Sequence, residues 1–291
     1  MDTLTIVKFL NCISEIWDLF KKFLNVGKNS SPPDSDEQDK KRQKLIKRFN
    51  ENIMRLREDD VGLQCLAIND LEQIARGHET DKGLREIICI SLCQFLSSNP
   101  KSRHALYALF RKDSIFAPMY KEIKSAEFLK LNLSRTSIIE NVRFEDCKFV
   151  ECCFNNVHFQ DCHISGGEMD GCDFKDDIKW NGCHIKDVQM KNLYFRHADF
   201  NSVTFQGGII SSSTFLRSEL RDVTFFNTHL GDLVFEICKF QREGFIQCQM
   251  NNVKYKYKNS EERCILDMQK ALIHQGYQPF VEHDSMTLAV G

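Results

Sequence analysis

Thirteen cysteines and nine histidines are the residues with the most chemistry to offer in this chain of 291 residues. Cysteines in Cys-x-x-Cys pairs would point to zinc or to thiol–disulfide exchange, and no such pair occurs. Seven cysteines follow a repeat instead: Cys147, Cys152, Cys162, Cys172, Cys183, Cys238 and Cys248. They read as buried thiols chosen for size, not as metal ligands. Because the total is odd, a reducing cytosol suits them better than a secreted disulfide framework. His163 and His184 could bind a metal or sense pH if folding stacked them. No third ligand accompanies them, so they read as surface residues. There is no Gly-rich phosphate loop, no Ser nucleophile elbow and no His-Glu-x-x-His, which leaves catalysis without machinery. The chain reads as a non-enzyme with no cofactor and no metal.

The element that positions these residues follows from a large apolar residue at every fifth position. The series starts at Phe128, Leu133 and Ile138 and, after a one-residue slip, runs from Phe144 to Phe174. A second slip leads to the stretch from Trp180 to Tyr255, making twenty-six units in all. On a helix, a period of five would scatter these residues round the axis, and on a flat strand it would alternate them between faces. Only a chain that turns once per unit buries them all. Two residues before each lies a small one, such as Val142, Cys147, Val157 or Ala198. Positions two apart on a strand share a face, so each unit points one small and one large residue inward and turns with the remainder. Four corners make a square coil of twenty residues. Six and a half coils at strand spacing give a rod roughly 30 Å tall. The slips read as a bulge or a loosened corner, and Gly167, Gly208 and Glu243 fit the small site poorly.

This pattern resembles the pentapeptide-repeat family over about Ala126 to Tyr257. The units closest to the family's usual form are Ala126-Glu127-Phe128, Leu131-Asn132-Leu133 and Ala198-Asp199-Phe200. The resemblance implies a right-handed quadrilateral β-helix. A second resemblance lies in Leu66-Ala67-Ile68-Asn69-Asp70-Leu71-Glu72-Gln73-Ile74-Ala75-Arg76. It is similar to the helix that precedes the repeats in bacterial membrane-associated pentapeptide proteins.

Outside the repeats the chain reads as helical. Residues 3–25 form an amphipathic pattern whose apolar face includes Phe9, Ile13, Trp17, Phe20 and Phe23. These five are the candidate membrane-facing residues, with docking on protein as the other use of the face. The stretch is too charged to span a bilayer, and it lacks the basic start and cleavage site of a signal peptide. Residues 26–42 read as a flexible linker, and helical patterns follow at Asp39–Arg57, Val61–Arg76 (with Leu63, Leu66, Leu71 and Ile74 as its expected apolar face), Asp81–Ser97 and Ser102–Arg111. After Lys258, a capping helix is expected over Ser260–His274, with a tail to Gly291. The resulting division is 1–25, 26–42, 43–124, 125–258 and 259–291. The fold class is α+β, a helical region followed by the β-helix and its C-terminal cap.

The net charge of −2 implies no bulk polyelectrolyte partner and no direct nucleic-acid binding. The stretch Glu140–Asp177 is nevertheless acidic. Some relatives, the quinolone-resistance pentapeptide proteins, mimic DNA and bind topoisomerases, so the resemblance carries that alternative. Outward positions give two expected columns, Ser137, His158, Lys179, Asp199, Glu219, Lys239 and Arg143, His163, His184, Thr204, Thr224. Apolar residues at outward sites are the partner-binding candidates: Phe226, Ile246, Leu216, Ile209, Tyr194 and Val234, with cover by the C-terminal helix as the other use of the Phe226–Ile246 pair. The expectation is a bacterial, cytoplasmic interaction scaffold for an unidentified protein partner. Peripheral contact with the inner membrane face and homo-oligomerisation remain open to it. An effector delivered into a host cell is a further alternative, whose export segment would fall in residues 1–42.

Overall fold

The computed structural model describes residues 35–78, 81–111, 113–241, 244–256 and 263–264. They belong to two compact units that divide between Glu122 and Ile123. Phe9, Ile13, Trp17, Phe20 and Phe23 lie outside the described residues.

The first unit contains helices α1 (Ser35–Arg55), α2 (Val61–Gly77), α3 (Lys82–Ser98) and α4 (Arg103–Phe110). Helix α1 begins inside the expected linker, so residues 35–42 are helical. The stretch is rich in Asp, Glu, Gln and Lys, with the acids at the start, where they favour a helix N-terminus. Asp60, Asp81 and Ser102 cap α2, α3 and α4 by accepting from Leu63, Leu84 and Ala105 N–H. The core face of α2 differs from the expected one. Leu66 is exposed, while Ala67, Ile68, Leu71, Ile74 and Ala75 are buried. The small Ala67 and Ala75 let α2 approach its neighbours. The buried Glu72 carboxylate accepts from Arg76 at 2.8 Å and also pairs with Arg111, so its charge is compensated.

The second unit is a parallel β-solenoid. Strand Lys121–Lys124 begins a seven-stranded face, and Glu127–Leu129 begins another of seven. The other two faces join into one twelve-stranded sheet, because Asn132–Glu140 and Cys153–Gln160 each run round a corner. Register along every face steps by one coil: Phe154 pairs with Phe174, and Phe195 with Phe215. Identical positions therefore stack at strand spacing. Phe154, Phe174, Phe195, Phe215 and Phe235 form a continuous stack with centroids 4.9, 4.6, 4.7 and 4.9 Å apart. Phe205, Phe225 and Phe245 repeat it on the opposite face at 4.9 Å. Edge-to-face contacts such as Phe195–Phe200 at 5.3 Å join neighbouring stacks across the interior.

The first slip is displaced from its expected place. Ile139, not Ile138, pairs with the inward Phe159 and is buried, and the register shifts between Ser134 and Ser137. The extra residue is thus absorbed as a bulge inside strand Asn132–Glu140. Ile138 consequently takes the outward place opposite His158 that was expected for Ser137. The second slip is a loosened corner, where Asp176 and Asp177 both take positive φ, 51° and 60°. The expected helix over Ser260–His274 also differs where it is described. Arg263–Cys264 is an antiparallel strand on Lys254–Lys256. It pairs part of the last coil's open edge; the remainder of that stretch lies outside the described residues.

Corners explain the sequence between the apolar positions. One residue per unit takes a left-handed conformation, most often Asp, Asn or Gly, which adopt it most readily. Two positions depart from that economy in opposite ways. Gly208, at φ 70°, sits so close to the preceding coil that a Cβ would lie 2.4 Å from Val188 O and 2.7 Å from Val188 N. Ile237 holds φ 54° despite its branched Cβ. We expect Gly208→Ala to lower the denaturation midpoint by at least about 2 kcal/mol of stability, combining backbone strain and overpacking. Ile237→Asn should raise it by about 1 kcal/mol. Urea titration of the two variants beside the parent checks both signs.

Candidate interaction surface

The inward small site is chemically quiet. Cys147, Cys152, Cys162, Cys172, Cys238 and Cys248 donate S–H to the carbonyl of a residue one coil below, at 3.0–3.3 Å, as Cys162 does to Ile139 O. Thr228 makes the same bond to Phe205 O at 3.2 Å. Burial pushes the Cys147 thiol up to about 11 and the Cys238 thiol up to about 12. These groups stay protonated and are structural.

Chemistry is therefore left to the outward positions, two per unit, which stack into columns. One runs His158, Lys179, Asp199, Glu219, Lys239. Lys239 Nζ reaches Glu219 Oε1 at 2.5 Å, and Arg221 reaches Asp199 at 2.5 Å from the adjacent column. Five carboxylates of the acidic stretch are paired as well. Glu145 pairs with Lys124 and Arg143, Glu151 with Lys130, Glu168 with Lys191, Asp173 with Lys175 and Asp176 with Arg196.

The six apolar candidates divide between faces. Phe226 and Ile246 pair in register on one face. Ile209 begins the strand just past the corner formed by Gly207 and Gly208, on the adjoining face. Gly207 N–H donates to Phe226 O at 2.9 Å, so the glycine corner lies directly against the Phe226 strand. Phe226 and Ile209 are 36% and 37% exposed, and Ile246 is half-buried. Tyr194, Leu216 and Val234 are half-buried on a third face. Tyr194 and Val234 both pair with Thr214 in one column, while Leu216 pairs with Arg196 and Glu236 in the next. Leu129, 44% exposed, is an apolar outward residue that the sequence reading did not single out. The period that revealed the inward sites assigned it an outward place without setting it apart.

The sequence profile for pentapeptide repeats matches residues 137–176 with eight copies, inside the unit whose four-faced coil has just been described. Residues 137–176 thus carry pentapeptide repeats. Its solved structural neighbours include full-length QnrB1, a plasmid-mediated fluoroquinolone resistance protein, at 10% identity and TM-score 0.26. That alignment covers 55% of this chain and 92% of QnrB1. A trypsin-treated QnrB1 variant aligns at 12% identity and TM-score 0.23 over 55% and 90% of the two chains. Likenesses of this size are silent on function. No curated protein matches the sequence.

In the pentapeptide-repeat domain the column Arg143, His163, His184, Thr204, Thr224 forms as expected. The two imidazoles lie 5.9 Å apart between centroids. Among the described residues no group of three or more His, Cys, Asp or Glu is arranged to hold a metal. His184 instead carries a pH dependence. Burial, then the neighbouring His163 and Lys186, hold His184 below the ordinary imidazole value of 6.5, with Gln206 opposing through a hydrogen bond. A depressed folded value means the unfolded chain binds this proton more tightly. Its stabilising contribution is therefore full above about pH 6.5 and is lost as pH falls through the folded value. We expect the thermal midpoint to fall between pH 7 and pH 5.5, and to fall less in His184→Gln, as read by circular dichroism.

Proposed function

We propose that the pentapeptide-repeat domain is a non-enzymatic scaffold that binds a partner protein. In this reading the partner docks on the apolar step formed by Phe226, Ile246 and Ile209. The observation that carries the reading is that two exposed apolar residues, Phe226 and Ile209 at 36% and 37%, lie on adjoining faces beside Ile246, which pairs with Phe226 in register, whereas Leu129 has the polar Glu127 and the half-buried Val150 as its strand neighbours. An aromatic ring paired with an aliphatic neighbour is the kind of anchor that supplies most of the energy in a protein interface. The ion-paired columns around it give a polar rim. Tyr194, Leu216 and Val234 lie on another face and would serve a second contact, not the same one.

The topoisomerase-directed DNA mimic is weaker on physical grounds. Mimicry needs a sustained negative field like that of the phosphate backbone. Here the carboxylates of Glu145, Glu151, Glu168, Asp173 and Asp176 each have a cationic partner. Association with the inner membrane face rests on residues 1–25. That stretch carries Lys8, Glu15, Asp18, Lys21 and Lys22, so interfacial binding is the form to test. Vesicle flotation with and without residues 1–25 separates that reading, and a supercoiling assay separates the mimic.

The deciding experiment is quantitative affinity capture with the parent chain, Phe226→Asp/Ile246→Asp and Leu129→Asp. We expect one protein to be recovered equally by the parent and Leu129→Asp, and at least about tenfold less by the double variant, the loss of a hot spot. Sedimentation of the parent alone shows whether that protein is a second copy of this chain. Equal recovery by all three, or a topoisomerase retained by all three, would remove the proposed surface.

A further inference from the structure

Most cysteines of the solenoid are buried and donate to a backbone carbonyl, but one cysteine of the helical unit is placed differently. Cys65, in α2, lies 3.0 Å from His104 Nδ1, in α4. Cys65 is half-buried and His104 is exposed. The pair opens onto a cavity of about 580 Å³ between the start of α2 and the α3–α4 connection, lined also by Gln64, Asn99, Lys101 and Arg103. That volume is in the range of small-molecule sites. No carboxylate is among its lining residues, whereas Lys101, Arg103 and His104 are. The N-terminus of α4, capped by Ser102, faces the same space and adds its positive end. A thiol within hydrogen-bond reach of an imidazole, in an open cleft lined by two cations, is placed to exchange with a disulfide that enters it. None of the other cysteines whose surroundings are described combines such a partner with access.

We propose that this cleft is a thiol-modification site at which Cys65 exchanges with an anionic low-molecular-weight disulfide. His104 Nδ1 takes the Cys65 proton. The Cys65 sulfur then attacks one sulfur of the disulfide, a new S–S bond forms and the old one breaks. The departing thiolate leaves with the electron pair and recovers the proton from His104. The disulfide is the oxidant, so the step needs no other. Lys101 and Arg103 hold the carboxylates of the incoming molecule, and His104 is the proton acceptor within reach of the sulfur.

The test uses the full chain with glutathione disulfide as the anionic probe and 2-hydroxyethyl disulfide as the neutral one, read by intact mass and peptide mapping. The expected result is one glutathione on Cys65, added faster than on any other cysteine and absent in Cys65→Ser. His104→Gln should slow the reaction at least about tenfold with both probes, the effect of losing the proton acceptor. Lys101→Glu/Arg103→Glu should slow glutathione disulfide alone. Far-UV circular dichroism establishes that each variant keeps its helices; if His104→Gln does not, the two-probe comparison in Lys101→Glu/Arg103→Glu decides. Addition spread evenly over several cysteines, an unmodified Cys65, or equal slowing of both probes by the charge reversals would overturn the proposal.

Discussion

One backbone constraint governs the solenoid: a left-handed corner every five residues, whose N–H donates to a carbonyl of the next coil. Asp146 donates to Ser165 O, Asp187 to Gln206 O and Asn227 to Ile246 O, each at 2.8–2.9 Å. Once the corner is fixed, the rest is forced. Positions five apart alternate round four faces, positions about twenty apart lie at strand spacing, and each inward side chain stacks on its equivalent. The phenyl stacks are a consequence of this register. Rings held at 4.6–4.9 Å by the backbone meet at a separation that flat aromatic faces accept.

The same constraint explains which parts of the structure were legible in the sequence. Inward positions obey a strict period and a size rule, so Phe154, Phe200 and Val203 could be placed by counting alone. The slip near Ile138 could not. Ile138 and Ile139 are both branched and apolar, and either completes the count; only the bulge after Ser134 puts Ile139 inside. The period is equally blind to α2, where Leu66 looked like a core residue. Helix packing there favours the small Ala67 and Ala75, and Leu66 is left outside. Outward residues were legible as columns, because register is counting too. Which of them stand free was not legible, because ion pairs such as Glu168–Lys191 cross between columns.

Cys65 and His104 mark the limit of such reading. They are thirty-nine residues apart and come together only through the packing of α2 against the α3–α4 connection. No local motif announces them. Thirteen cysteines with a dominant repeat also draw attention to the seven that do least chemistry. What distinguishes Cys65 is its surroundings, which the amino-acid order encodes only through tertiary structure.

The small inward site shows why so reactive a residue type can be used so freely in the coil. Its occupant must fit between stacked large side chains, and a polar atom there must find a backbone partner. A thiol meets both demands by donating to the carbonyl one coil below, and Thr228 does the same with a hydroxyl. The shorter Ser213 and Ser218 act otherwise. Their hydroxyls accept N–H from Leu193 and Ala198 and donate to Ser211 O and Leu216 O. Valine fills the site with no polar atom at all. Cysteine, threonine, serine and valine are therefore interchangeable by size but differ in which backbone group they tie down. Burial that keeps the Cys147 and Cys238 thiols protonated makes the coil chemically silent inside. Recognition is then confined to the outward columns, and thiol chemistry to the helical unit.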